Sequence, residues 1–148
     1  MKEKPFLVLL ADDDEHDIVA IRRAWKQEGI ANPLHVVRSG EECLDYLHHR
    51  GKYADAADAT PGILLLDVKM PRMDGFAVLE AIRRNERLRR LPVVVFTGSD
   101  AAGDRNASYD LGANAHVKKP LEFKDLSRAI RIINEFWELS ELPDIQHG

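Results

Sequence analysis

Short apolar runs alternate along this chain with longer amphipathic stretches. Residues 63–66 (ILLL) are too few for a helix and follow Pro61 and Gly62, so they predict a strand buried on both faces. Further short runs at 6–10 (FLVLL), 34–38, 93–96 and 115–117 predict four more strands. Between them the apolar period lengthens to that of a helix. Over 17–28, Ile18, Ile21 and Trp25 share one face opposite Arg22, Arg23 and Lys26, and Gly29 supplies the stop. Ser39 and Glu42 have the spacing of a capping box that satisfies two orphan backbone donors. The helix behind it turns Cys43, Leu44 and Leu47 inward and ends in the polar His48, His49 and Arg50. Phe76, Leu79 and Ile82 mark a third helix, and an Ala-rich fourth spans about 101–111, closed by Gly112. Leu126, Ile130, Ile133 and Trp137 lie on one stripe of a long fifth helix over 123–139. Residues 51–62 carry no period and predict an extended loop or a short extra turn.

A strand followed by a helix, five times over, builds a parallel sheet covered on both faces, because each crossover must be right-handed. The simplest arrangement is a doubly wound, flavodoxin-like α/β domain with strand order 2-1-3-4-5. The pattern predicts one domain over 1–148, with a core of about 5–139 and a tail from 140 to 148.

Composition narrows the function classes. The chain has 148 residues, 45% hydrophobic and 31% charged, a globular rather than disordered balance. Its 21 basic and 25 acidic residues give a net charge of −4, which argues against direct nucleic-acid binding through a basic stripe. Arg83, Arg84, Arg87, Arg89 and Arg90 make the last turn and exit of the third helix basic. Glu80 and Glu86 dilute them, so a solvated helix end is the simpler reading. The single Cys43 allows no internal disulfide and no CxxC metal site, and it fits a buried core position. No stretch reaches the roughly 20 apolar residues of a membrane span, and the start MKEKPFLVLL lacks the features of a signal peptide. A cytoplasmic protein without a membrane partner is expected.

The chemistry gathers at strand ends. The first strand runs into Asp12, Asp13, Asp14 and Glu15, and the third ends at Asp67. After Asp67, Pro71 and the Asp74-Gly75 pair force a turn. In the order 2-1-3-4-5 the first and third strands are neighbours, so Asp12, Asp13 and Asp67 converge where open α/β sheets keep their ligand sites. Clustered carboxylates call for a cation, and a few oxygens with room left for water and phosphate suit Mg²⁺. The fourth strand delivers the hydroxyl of Thr97 and the fifth the ammonium of Lys119. Acids, hydroxyl and ammonium together make a phosphoryl-handling set, because phosphoryl transfer needs chiefly positioning and charge neutralisation.

The stretches FLVLLADDD, LLLDVKMPRMDG, VVVFTG and HVKKP resemble, in order and placement, the four signature stretches of CheY-like response-regulator receiver domains. The resemblance implies that Asp67 is the phosphoacceptor and that Mg²⁺ is held by Asp12, Asp13, Asp67 and the backbone carbonyl of Lys69. It implies also that Lys119 pairs with the phosphoryl group and Thr97 hydrogen-bonds it. The residue before Pro120 typically forms a cis bond in the family, and Gly98 matches a position that stays small so that a phosphodonor can approach.

Two positions depart from or qualify the pattern. His116 stands where an aromatic switch residue is usual, and an imidazole there adds a pH-sensitive donor. Lys69 stands where family variation tunes phosphoryl lifetime. The long loop before residue 63 and the extended last helix are similar to single-domain regulators that work with phytochrome-like histidine kinases. That similarity implies a homodimer through the last helix and tail, where Trp137, Leu139, Leu142 and Ile145 offer apolar groups.

The expected function is two-component signalling. A histidine kinase phosphorylates Asp67, Thr97 and His116 switch the face made by the fourth helix, last strand and last helix, and a downstream protein or phosphotransferase reads the result. Such a domain is no enzyme beyond its own phosphotransfer and dephosphorylation. Two rivals stand beside it. One is a receiver-fold adaptor that works without phosphorylation. The other is a haloacid-dehalogenase-type phosphohydrolase built on Asp12, Asp14, Thr97 and Lys119, against which His16 replaces the expected hydroxyl residue.

Overall fold

A computed structural model describes residues 5–55, 60–99 and 101–145. The strands are β1 (Val8–Ala11), β2 (Leu34–Val37), β3 (Ile63–Leu66), β4 (Val93–Thr97) and β5 (Ala115–Lys118). They form one parallel sheet in the order β2-β1-β3-β4-β5. The helices are α1 (Glu15–Gln27), α2 (Gly40–Leu47), α3 (Gly75–Arg84), α4 (Ala102–Asp110) and α5 (Phe123–Leu139).

Successive strand residues point to opposite faces, so each central strand divides its apolar residues between two layers. Val8 and Leu10 of β1, Ile63 and Leu65 of β3, and Val94 and Phe96 of β4 pack with Ile21, Trp25, Leu126, Ile130 and Ile133 of α1 and α5. Leu9, Ala11, Leu64, Leu66 and Val93 pack on the other side with Cys43, Leu47, Val78, Leu79 and Ile82 of α2 and α3. Burial pushes the Cys43 thiol up to about 12, so it behaves as a small apolar side chain.

Local chemistry sets the boundaries. Asp14 caps α1 by accepting from the backbone N–H groups of His16 and Asp17, and so starts the helix two residues before the apolar period does. Only half of the expected capping box forms at α2. Ser39 Oγ accepts from the Glu42 N–H at 3.0 Å, but Glu42 Oε1 accepts from Arg38, one residue before the cap, at 2.9 Å. The segment after α2 forms a short 3₁₀ turn, Gly51–Tyr53; residues 56–59 lie outside the described residues.

Three expectations are corrected. Arg83 is no solvated helix-end charge: its guanidinium donates to the carbonyls of Gly112, Arg89 and Leu91 and to Asn114 Oδ1, tying α3 to the segments that flank β4 and α4. A five-donor planar group can satisfy several buried carbonyls at once. Trp137 and Leu142 pack against the α1/α5 layer, and Ile145 is buried in the opposite one. The tail therefore covers its own core, and only Leu139 of the four named residues stays exposed, at 87%. Finally, no cis peptide bond occurs among the described residues, so Lys119–Pro120 is trans. The two isomers of such a bond differ intrinsically by only about 0.5–1 kcal/mol, which leaves the choice to local context.

Candidate functional site

The carboxyl ends of β1 and β3 deliver their acids side by side because Ala11 pairs with Leu66 in register. Asp12 is fully buried, Asp67 is nearly so, and Asp13 is exposed. One carboxylate oxygen from each of the three lies within 4.8 Å of the others. Asp67 is held by a 2.8 Å hydrogen bond from the Val68 N–H to its Oδ1. The turn behind it closes tightly: the Gly75 N–H donates to the Val68 carbonyl at 2.8 Å, and a Cβ on Gly75 would stand 2.2 Å from the Asp67 carbonyl oxygen. Gly75 is thus the residue that lets α3 begin against the backbone of Asp67. The Asp74 carboxylate caps α3 through the Ala77 N–H.

Lys119, just past β5, is buried, and its backbone N–H donates to the Thr97 carbonyl at 2.7 Å. Its ammonium reaches across the sheet edge to Asp12 Oδ2 at 2.8 Å and Asp17 Oδ2 at 2.6 Å, and lies 3.5 Å from Asp67 Oδ2. Asp17, in the first turn of α1, entered the sequence reading only as a helix residue. It reads as an ordinary first-turn acid, and no spacing rule links it to Lys119, 102 positions away. Burial is the main influence on Asp12 and pushes its carboxyl up to about 6 despite the pull of Lys119. Burial alone would lower the Lys119 pKa, but its hydrogen bonds to Asp12 and Asp17 and the charge of Asp67 hold it well above its ordinary value.

Thr97 is buried at the end of β4, and its Oγ1 accepts from the Ser99 N–H at 3.3 Å. Gly98 is exposed, and a Cβ there would meet nothing within 4 Å among the described residues. The Lys69 side chain is exposed, and Lys69 lines, with Asp13, Met70 and Pro71, a shallow hollow of about 560 Å³ next to the acids. His116 is half-buried and tethered to α4: its Nδ1 lies 2.9 Å from Ser108 Oγ, and its backbone N–H donates to the Tyr109 hydroxyl at 3.1 Å. The set that belonged to the phosphohydrolase reading does not assemble, since Asp14 is spent on capping α1 and His16 is exposed.

A parallel sheet of this order, with acids from β1 and β3 and a lysine after β5 meeting at one edge, matches a family across most of the chain. Residues 8–131 match the response regulator receiver domain. The chain belongs to that family. It is 38% identical over 136 residues to the probable methanogenesis regulatory protein FilR2 of Methanothrix harundinacea, covering 91% of this chain and 85% of that one. It is 34% identical over 140 residues to response regulator Rcp1 of Synechocystis, covering 94% of each. Among solved structures, the Mn²⁺-bound form of Rcp1 matches with a TM-score of 0.85 at 34% identity, covering 95% of this chain and all of that one. The phosphorylated cyanobacterial phytochrome response regulator RcpA matches at 0.87 and 33%, with the same coverage. This receiver domain is therefore a two-component signalling module of the response-regulator class. Among the described residues no helix is long and apolar enough to cross a membrane.

Proposed function

We propose that this receiver domain accepts a phosphoryl group on Asp67 from the phosphohistidine of a histidine kinase. The observation that carries the reading is the Lys119 ammonium, bonded to Asp12 and 3.5 Å from Asp67 Oδ2, beside three carboxylates within 4.8 Å of one another. An Asp67 oxygen attacks phosphorus, the histidine N–P bond breaks, and an acyl phosphate forms while the imidazole leaves. Water later cleaves the acyl phosphate, releasing inorganic phosphate and restoring the carboxylate. Lys119 supplies fixed positive charge to the phosphoryl oxygens, and Thr97 donates its hydroxyl to one of them.

The donor set fits a divalent cation: all-oxygen ligands, two of them buried, with a carboxyl on Asp12 that burial keeps reluctant to ionise without a counter-charge. Asp12, Asp13, Asp67 and the Lys69 carbonyl would hold Mg²⁺, which would neutralise charge on the phosphoryl oxygens. The similarity to Rcp1, whose structure is known with Mn²⁺ bound, supports a divalent ion of this kind. In this reading Thr97 turns toward the phosphoryl group, His116 leaves Ser108, and the α4-β5-α5 face changes for a downstream protein or phosphotransferase. The similarity to Rcp1 and RcpA favours a phytochrome-like kinase in the cytoplasm as the partner. A homodimer through α5 rests now on Ile132, Phe136 and Leu139, exposed by 47%, 58% and 87% at i, i+4 and i+7.

Intact-protein mass spectrometry after incubation with acetyl phosphate tests the core of this. The wild type gains one phosphoryl group only with Mg²⁺, Asp67→Asn gains none, and beryllofluoride changes the rate of amide exchange over 102–139. Failure of the wild type both to gain mass and to bind beryllofluoride would remove the phosphoacceptor reading and favour the adaptor.

A further inference from the structure

Lys119 has three N–H donors, and two of them are committed: one to Asp12 at 2.8 Å and one, by the shorter bond of 2.6 Å, to Asp17. The distance to Asp67 Oδ2, 3.5 Å, is too long for a good hydrogen bond. The three acids do not stand alike. Asp12 lies at the strand end beside Asp67, whereas Asp17 belongs to α1 and keeps 41% of its side chain exposed. It holds the ammonium from the first turn of α1 rather than from a strand end.

We propose that Asp17 is a positioning residue that restrains Lys119, lowering the strength with which Asp67 holds a phosphoryl group. The inference rests on Asp67 being the phosphoacceptor. A phosphoryl group on Asp67 carries a charge near −2, which competes with Asp17 for the same ammonium and is repelled by it. Lys119 can turn its third N–H to the phosphoryl oxygens, but Asp17 and the phosphoryl group then compete for the charge of one ammonium. The energy of that competition is set by charge, so neutralising residue 17 favours the phosphorylated geometry while leaving the fold in place. Because Asp17 stands half in water, salt screens part of the effect, unlike the contribution of the buried Asp12.

The test is the Kd for beryllofluoride, measured by calorimetry in Mg²⁺ for the wild type, Asp17→Asn, Asp17→Glu and Asp67→Asn, with thermal unfolding of each. Asp17→Asn preserves volume and is expected to bind about three- to tenfold more tightly, with the gain shrinking as NaCl rises. Asp17→Glu, which keeps the charge, is expected within about twofold of the wild type, since only its reach changes. Unchanged or weaker binding by Asp17→Asn would overturn the restraint. So would a gain independent of salt, which points to altered shape rather than charge. If the wild type binds no beryllofluoride this inference falls, and the phosphoacceptor reading falls with it only if acetyl phosphate also adds no mass; binding by the wild type and none by Asp67→Asn separates the two.

Discussion

Gly75 controls how closely the first turn of α3 approaches Asp67. Any Cβ there would stand 2.2 Å from the Asp67 carbonyl oxygen and 2.9 Å from Val68 Cα, both backbone atoms that cannot rotate away. Gly75→Ala must therefore push the 67–75 turn outward, at an expected cost of about 1–3 kcal/mol. Because the displaced segment includes Asp67, the proposed phosphoryl uptake from acetyl phosphate is expected to fall as well. Gly98→Ala is the control, since its new Cβ meets nothing within 4 Å and leaves the urea midpoint unchanged. Equal midpoints for the two variants would show that the turn yields without strain. The DG pair announced a turn in the sequence, but the reason for glycine is a contact with a residue eight positions earlier. Asp12 and Asp67 were legible because each ends an apolar run. Asp17 was not, because a first-turn acid on an amphipathic helix has an ordinary explanation, and Lys119 is its neighbour only in space.

At the scale of elements, α2 and the 3₁₀ turn behind it are clasped by one polar network. Glu42 Oε2 accepts from the Tyr53 hydroxyl at 2.6 Å and pairs with Lys52 at 3.1 Å, while His35 Nε2 lies 3.1 Å from the same hydroxyl. His35 also stacks on Tyr46 at 4.6 Å between centroids. Burial holds the His35 pKa below its ordinary 6.5. Burial alone would raise Glu42, but its bonds from Tyr53, the Arg38 N–H and Lys52 set it below 4.5. Both groups thus favour their deprotonated forms in the fold. Their stabilisation is present above the ordinary values and is lost as pH falls through the folded ones, first for His35 below 6.5, then for Glu42 below 4.5. The contribution of this clasp to Tm is expected to shrink on acidification from neutral pH, whereas that of Asp12, whose carboxyl burial raises to about 6, runs the other way. Glu42→Gln should cost about 1 kcal/mol at pH 7 and flatten the part of the curve below 4.5. A variant whose curve parallels the wild type would remove Glu42 from the clasp. Ser39 and Glu42 were visible as a cap signal; that Glu42 also anchors Tyr53 depends on where the chain returns after α2.

For the whole molecule, the tail decides how the two layers are closed at the edge remote from Asp67. Leu142 packs beside Phe6 and Gly62, and Ile145 is buried among residues of the α2/α3 layer, so residues after α5 belong to the core. Removing 140–148 is expected to lower the urea midpoint. Phe136→Ser, at an exposed position, should stay within about 0.5 kcal/mol of the wild type. Sedimentation velocity with and without beryllofluoride then separates packing from association: in the dimer reading the wild type is expected to self-associate through the α5 stripe and Phe136→Ser is expected not to. A wild type monomeric under both conditions would end the dimer reading, and a truncated protein of undiminished stability would end the packing one. The sequence by itself determined the five strands, their helices, the parallel order and the acids, hydroxyl and lysine at one sheet edge. Those follow from period, from right-handed crossovers and from strand ends, which are local properties. Only the tertiary structure decided which acids Lys119 touches, why residue 75 must lack a Cβ, that Arg83 is a structural tie, that His116 is bound to α4, and that the tail folds inward. Each of these depends on distances between segments far apart in the chain, and an ion pair or a backbone clash at those distances leaves no mark on local pattern.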